Sequence, residues 1–485
     1  MLSSIRQSPL YPIVNPKSIA FFGGSNRFSS MGTNQLSSLK SFGFPGKIYP
    51  IHPKEKRVLD LEAYQSLQEL PEVPDLAVVV LPTGVVLQAL EECGRKGIKH
   101  AIVVSGGFNE VGGEGVALEK KLIAVADQYG ICFLGPNCLG VANPHHHFNV
   151  TFLPFEGRPG FIGLASQSGS LITQMFGYLN RCGLGFSTGI SVGNEAVVDI
   201  VDCMEYLAAC PHTKVIGLYI ESIRRGRKFI DTARSIVRHK PIVAFYVGGS
   251  EAGKRASFSH TGAMAGPDSV YDGVFRQCGI IRADSIPELF DFCWVLGTCP
   301  CPQGNRQIVQ THSGGPGAAA ADASSRNGLK LIQFSEKTLQ KLTPLVPHTG
   351  SVNNPVDLTF SKNPMDYFAD IPDVLLGETA ADGLLIYYLT PRQLIRRTME
   401  NMEIPPDRIP KLTEQLFNNQ AESLAALIKK HQKPVIGFTF QSHENMFIQK
   451  LMGHGLPVFP SPDRAARAMA ALVSYSRFTK IADRV

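Results

Sequence analysis

The chain has 485 residues, 44% of them hydrophobic and 18% charged, with a formal net charge of +6. That is the make-up of a well-packed globular protein, too long for one ordinary domain and suited to about three. It excludes a disordered chain, and its mild, mixed-sign charge comes with no recognisable nucleic-acid-reading module.

One basic cluster, Arg224, Arg225, Arg227, Lys228, Arg234, Arg238, His239 and Lys240, reads as the solvated face of a helix. The opening residues MLSSIRQSPLYPIVNP lack the apolar run and cleavage site of a secretion signal. Nowhere is there an apolar stretch long enough for a membrane span, so none is expected. The ten cysteines are scattered through apolar segments, as reduced thiols of a cytosolic protein would be. Cys293, Cys299 and Cys301 lack a second ligand pair at zinc spacing, and His145, His146 and His147 read as a solvated loop, so no metal site is expected.

Short apolar runs alternate with helical stretches along the whole chain. SIAFFGG, LAVVVLP, AIVVSGG and CFLGPN read as strands that end in Gly, Pro, Ser or Asn turns, with helical periodicity over 84–96 and 114–129. Strands apolar on both faces and joined by crossover helices predict a parallel, doubly wound α/β sheet, which ends near Pro144. A second unit opens with FIGLASQSGS and runs through TGISVGN, VIGLYIES and PIVAFYVGG to a helix near 286–297. Thr298 to Asn305 reads as a linker. A third unit opens with RQIVQTHSGGPG and continues through GLLIYYL, PVIGFTF and LPVFPS to a helix over 463–477. The predicted domains are therefore 1–145, 146–298 and 305–485.

Three turns carry candidate chemistry. Gly23-Gly24-Ser25-Asn26 follows the first strand and precedes a helix, where backbone amides and the positive helix end suit a phosphate. The dinucleotide fingerprint G-x-G-x-x-G is absent, and the next strand, KIYPIHPK, ends in Pro53-Lys54 in place of a ribose-binding acid. A phosphorylated nucleotide such as CoA or NADP is therefore favoured over NAD. Gln167-Ser168-Gly169-Ser170 and Ser313-Gly314-Gly315-Pro316-Gly317 are the other two turns, each placed before a helix. Between them lies Ser259-His260-Thr261-Gly262, where a neutral imidazole in a Ser/Thr/Gly loop suits phosphoryl transfer, with Glu221 at a strand end to fix its tautomer.

Two superficial motifs fail. GGSEAGK at 248–254 has the P-loop spacing, but Arg255 stands where Ser or Thr should hold Mg²⁺. ASQSGS misses the G-x-S-x-G hydrolase elbow because Ser166 occupies the first glycine's place.

With NPKSIAFFGGS, GGFNEVGGEG, LGPNCLGVANP, ASQSGSL, SVGNEAVVDIVDCMEYL, SEAGKRASFSHTGAMAG, THSGGPG and NPVDL in order, the chain resembles the α subunit of ADP-forming acyl-CoA synthetases, relatives of succinyl-CoA synthetase. The resemblance implies a Rossmann-like CoA-binding domain followed by two flavodoxin-like, doubly wound domains. It implies an acid–thiol ligase of the acetate–CoA ligase type, interconverting acyl-CoA + ADP + phosphate and carboxylate + ATP + CoA through an acyl phosphate and a phosphohistidine. His260 is then the phosphorylated residue and Glu221 its stabiliser. Ser168, Gly169, Gly314, Gly315 and Gly317 grip the phosphate. Gly23, Ser25, Lys54, Pro82, Ser105, Gly106 and Asn137 form the CoA face. ADP or ATP with Mg²⁺ is held mainly by an ATP-grasp β subunit, in an α₂β₂ assembly of the cytoplasm. Tyr246 and Gly249 depart from the family, standing where two cations are usual. They keep open the alternative of a non-catalytic, acyl-CoA-binding regulator. A third alternative, an NADP oxidoreductase, leaves the second and third domains unexplained.

Overall fold

The computed structural model describes residues 4–250, 253, 266–359, 366–390 and 392–482. The chain divides into two compact units, one of residues 1–180 and 184–289, the other of 181–183 and 290–485.

The first unit contains two large sheets and a short two-stranded antiparallel pair, Arg57–Val58 with Leu61–Glu62. In the first, β1 (Ser18–Phe22), β2 (Lys47–Ile51), β3 (Leu76–Val79), β4 (His100–Val103) and β5 (Cys132–Leu134) are all parallel and ordered β2-β1-β3-β4-β5. β1 and β3 are buried at every position, which is why they read as continuous apolar runs without alternation. The predicted helices appear as Thr83–Lys96 and Glu114–Tyr129, ended by Gly97 and Gly130 in the left-handed conformation that a residue without Cβ adopts freely.

The second sheet holds β6 (Gly140–Asn143), β7 (Phe148–Asn149), β8 (Ile162–Ser166), β9 (Phe186–Ser191), β10 (Val215–Ile220), β11 (Ile242–Tyr246) and β12 (Ile281–Ala283), in the order β12-β11-β10-β8-β9-β6-β7. Its main body is parallel, as expected. β6 and β7 add antiparallel at the β9 edge, and this hairpin was not anticipated. The division expected between residues 145 and 146 falls in its turn, so the strand before it and the strand after it both pair within the second sheet. One buried cluster links the two layers, running from Ile13 and Phe21 through Val141, Phe148 and Ile190 to Phe229 and Phe275.

The second unit is built on β13 (Arg306–Thr311), β14 (Lys330–Leu331), β15 (Val356–Asp357), β16 (Gly383–Tyr387), β17 (Val435–Phe438) and β18 (Val458–Phe459). The order is β14-β13-β16-β17-β18, with β15 pairing on β13, and all these pairings are parallel. Residues 299–305 before it carry no regular structure, and the unit itself begins earlier, at Phe290 within the helix Ile286–Thr298. The C-terminal helix spans Pro462–Ala482, and a 23-residue helix, Ile409–His431, was not read from the sequence.

Candidate functional site

The first turn is shaped by two glycines. Gly23 takes φ 89°, and a Cβ there would stand 1.9 Å from the carbonyl oxygen of Val80. A Cβ on Gly32 would stand 2.3 Å from the carbonyl oxygen of Gly23, so the helix Met31–Ser41 begins hard against the turn only because both side chains are missing. Ser30 caps that helix, and the Thr33 hydroxyl sits among Ser25, which donates its N–H at 3.0 Å, and the Ser25 and Ser30 hydroxyls at 2.9 and 2.6 Å. The Ser25 polar groups thus hold the turn in shape. Lys54 is exposed beyond β2 and makes no ion pair among the described residues, which leaves a cation in solvent near the end of that strand.

Pro82 precedes the first turn of its helix. The Ser105 hydroxyl donates to Leu81 O at 2.6 Å and accepts from Leu81 N at 3.0 Å, lacing two loops together. Gly106 O accepts from the Thr83 hydroxyl at 2.6 Å. Asn137, with φ 58°, donates its N–H to Ser105 O at 2.9 Å. Behind it lies a buried polar network that sequence reading missed. The Asn137 amide donates to Asn194 Oδ1 at 3.2 Å, and Asn194 donates to Glu110 at 2.6 Å and Glu119 at 2.9 Å. Glu110 in turn accepts from Gly107 N, so these acids fix the Gly106–Gly107 loop from within.

At the second turn, the Ser166 hydroxyl donates to Ser168 O at 2.6 Å and accepts from Ser168 N at 3.1 Å. The helix Gly169–Arg181 follows, and the first amides of any helix have no intrahelical partner. Gln167 lies beneath, 4% exposed, taking Glu221 N at 2.5 Å and Ser222 N at 3.0 Å on its carbonyl and donating to Ser222 O at 2.9 Å. This single side chain sets the buried Glu221 at a fixed place beside the helix start. Glu195 is within hydrogen-bond reach of the same glutamine, has φ 57°, and accepts from Ile200 N at 2.8 Å. Burial, then the charge on Asp199, push its carboxyl up to about 8. Arg224 stands 3.9 Å away and half-exposed, too distant and too solvated to reverse this.

The third turn belongs to the second unit and repeats the second in detail. The Thr311 hydroxyl donates to Ser313 O at 2.8 Å and accepts from Ser313 N at 3.1 Å, and the helix Gly314–Arg326 follows. Gly314 and Gly315 are exposed, whereas Gly317 is buried against Thr311, so it serves packing at this turn. His312 is stacked on Tyr367 with ring centroids 3.5 Å apart, and burial lowers its pKa to about 4.

His260 lies outside the described residues. Tyr246 and Gly249, near that segment, have packing roles. Tyr246 stacks on Tyr271 at 3.7 Å and donates to Gly266 O at 2.8 Å, while a Cβ on Gly249 would collide with Asp268 Oδ1 at 2.2 Å. Among the described residues no three His, Cys, Asp or Glu side chains are grouped to hold a metal ion.

A cavity of about 550 Å³ runs between the two turns of the first unit. Gly23, Ser105, Gly106, Asn137, Gln167 and Gly169 all line it, whereas Ser25, Lys54, Pro82 and Ser168 do not. Its lining offers the polar side chains of Ser105, Asn137 and Gln167 together with the start of the helix Gly169–Arg181.

Residues 17–144 match the CoA binding domain family, and residues 159–296 match the succinyl-CoA ligase like flavodoxin domain family. Over 96% of its length the chain is 35% identical to the acetate–CoA ligase [ADP-forming] II subunit alpha of Pyrococcus furiosus, of which it covers 97%. It is also 35% identical, over 96% of its length, to acetate–CoA ligase [ADP-forming] I of Archaeoglobus fulgidus, but covers only 63% of that longer chain. Among solved structures it superposes on the dinucleotide forming acetyl-coenzyme A synthetase 1 of Ca. Korarchaeum cryptofilum, solved with phosphate and ADP, with a TM-score of 0.86, 32% identity and 99% coverage of both chains.

Proposed function

The chain belongs to the ADP-forming acetate–CoA ligase family, and from that premise we propose that it is the α subunit of an ADP-forming acyl-CoA synthetase. The observation that carries this reading is the single cavity linking the Gly23 turn to the helix start at Gly169. It provides a path along which a CoA thioester, entering over the first sheet, meets a phosphate at the second.

The steps follow from the groups at each end. A phosphate oxygen attacks the thioester carbonyl, the C–S bond breaks, and the thiolate takes a proton to leave as CoA. Helix-start amides, each end worth about half a positive charge, hold the phosphate and resulting acyl phosphate. A ring nitrogen of His260 then attacks phosphorus, the P–O bond breaks, and the carboxylate departs. Glu221, held by Gln167, stabilises the phosphohistidine. Finally the phosphoryl group passes to the β-phosphate of ADP, giving ATP. Positioning and electrostatics do most of this work, since phosphoryl transfer asks little covalent chemistry of the protein.

Within this reading Gly23, Ser25, Lys54, Pro82, Ser105, Gly106 and Asn137 form the CoA face, Lys54 by its free charge and Ser25 and Ser105 by shaping their loops. Ser168, Gly169, Gly314, Gly315 and Gly317 belong to the phosphate-gripping turns, Gly317 by packing. Residues 1–145, 146–298 and 305–485 supply the CoA, phosphohistidine and second ligase domains. The Pyrococcus furiosus relatives are named as alpha subunits, which supports a partner, read here as an ATP-grasp β subunit carrying ADP and Mg²⁺, in an α₂β₂ assembly in the cytoplasm. No helix of the described residues is long and apolar enough to cross a membrane.

The test combines the chain with an ATP-grasp β subunit, acetyl-CoA, ADP and radiolabelled phosphate. ATP should form, and label should enter the chain but not its His260→Ala variant, while His312→Ala keeps it. Label retained by His260→Ala refutes the phosphohistidine assignment.

A further inference from the structure

Among the described residues the cavity that joins the two turns is lined by no Asp, Glu, Lys, Arg or His side chain, so its lining gauges a guest by size and not by ion pairing.

At the end where phosphate is gripped, one apolar side chain stands against the helix start. A Cβ built on Gly169 would lie 2.7 Å from Leu139 Cγ and 3.2 Å from its Cδ1, so Leu139 occupies the space beside the first helical residue. Leu139 also lines the cavity. Its backbone is held from both sides: the N–H donates to the Ser191 hydroxyl at 3.0 Å, and the carbonyl accepts from the Gln35 amide at 3.2 Å. The following residue, Gly140, begins β6 and pairs with Ser191. A wall so fixed excludes larger groups instead of yielding to them. Met31, Val80, Leu81, Val104 and Phe152 are further apolar residues lining the cavity.

We infer that Leu139 is a specificity-determining residue, the wall against which the acyl group of the thioester is gauged for size. This rests on the reading above, which places the thioester carbon at the Gly169 helix start. Removing the three outer carbons of Leu139 opens room for a bulkier acyl group while leaving the rest of the carrier's path intact.

Binding, which needs neither partner nor turnover, tests the inference separately from the catalytic reading. Free CoA, acetyl-CoA and phenylacetyl-CoA are titrated by calorimetry into the unaltered chain, Leu139→Ala and Leu139→Val, with a thermal melt confirming that each is folded. In Leu139→Ala the affinity ratio of phenylacetyl-CoA to acetyl-CoA rises by about tenfold or more, the scale on which apolar pockets discriminate size. Leu139→Val moves it the same way by less and serves if the alanine variant does not fold. Free CoA changes by less than about twofold. An unchanged phenylacetyl ratio in the folded variants overturns the role of Leu139. Failure of any acyl-CoA to bind overturns it as well, whereas failure of the His260 labelling leaves these ratios standing.

Discussion

Replacing Glu195 by Gln should make the protein more stable at pH 8 and should leave its stability near pH 4 almost unchanged. Burial holds this carboxyl protonated in the folded chain up to about 8, against an ordinary value of 4.5. Between those values the unfolded chain releases the proton and the folded chain keeps it. The folded state then binds more protons, and stability falls as pH rises. At about 1.4 kcal/mol per pH unit, the gap amounts to a ceiling of about 4–5 kcal/mol at pH 8. Glutamine has the shape of the protonated acid, keeps an acceptor for Ile200 N, and never ionises. Urea unfolding of both proteins at half-unit steps from pH 4.5 to 8 gives the difference directly. A gap that opens steadily with pH, to at least about 2 kcal/mol, is the expected result. A constant gap, or a glutamine variant that loses stability as pH rises, refutes the argument that Glu195 is neutral in the folded protein.

Three further outcomes follow from the geometry. Gly32→Ala forces a Cβ onto Gly23 O and should cost about 1–3 kcal/mol; an unchanged melting temperature together with unchanged CoA affinity would count against the close-approach reading. Ser166→Ala and Thr311→Val each unpin a turn by leaving two backbone groups without their hydroxyl, and each should lose about 1–3 kcal/mol. Equal losses in the two variants, measured by urea titration, support the equivalence of the turns, and a cost confined to one denies it. Arg306→Ala removes the paired guanidinium that holds the buried Asp382 carboxyl below its usual range, despite the opposing effect of burial. Because that stability exists above the ordinary carboxylate pKa and is lost on acidification, the variant should lose about 2 kcal/mol at pH 7 and much less at pH 3. A loss independent of pH would show that packing, not charge, is what Arg306 contributes.

Much of the scaffold was legible because local chemistry dictates it. Runs such as SIAFF and LAVV are apolar at every position, which a strand covered on both faces requires, and Gly23 after SIAFF marks a turn that tolerates no Cβ. The helices at 83–96 and 114–129 came out within a residue because periodicity and a terminal glycine agree. What escaped depends on distance along the chain. β6 pairs with a strand nearly fifty residues later, and its few residues carry no pattern of their own. The Asn194–Glu110–Glu119 network joins positions 84 and 75 residues apart, so no window of sequence holds it. Ser25 was expected to face the carrier, yet it lies off the cavity with its hydroxyl bonded to Thr33, while Ser105 lines the cavity with its hydroxyl bonded to Leu81. Hydroxyls near a tight turn commonly satisfy the backbone first. Glu195, between an asparagine and an alanine, reads as a surface residue; only the folded chain shows it enclosed.

The buried cluster shared by the two sheets of the first unit has a thermodynamic consequence. Ile13 and Phe21 from one layer and Phe229 and Phe275 from the other belong to a single apolar mass, so the layers cannot melt independently without tearing it open. Any molecule lodged in the cavity raises the free energy of that whole transition by its own binding energy. Heat would therefore report occupancy everywhere in this half of the chain at once, in residues that never touch the guest as plainly as in those that do.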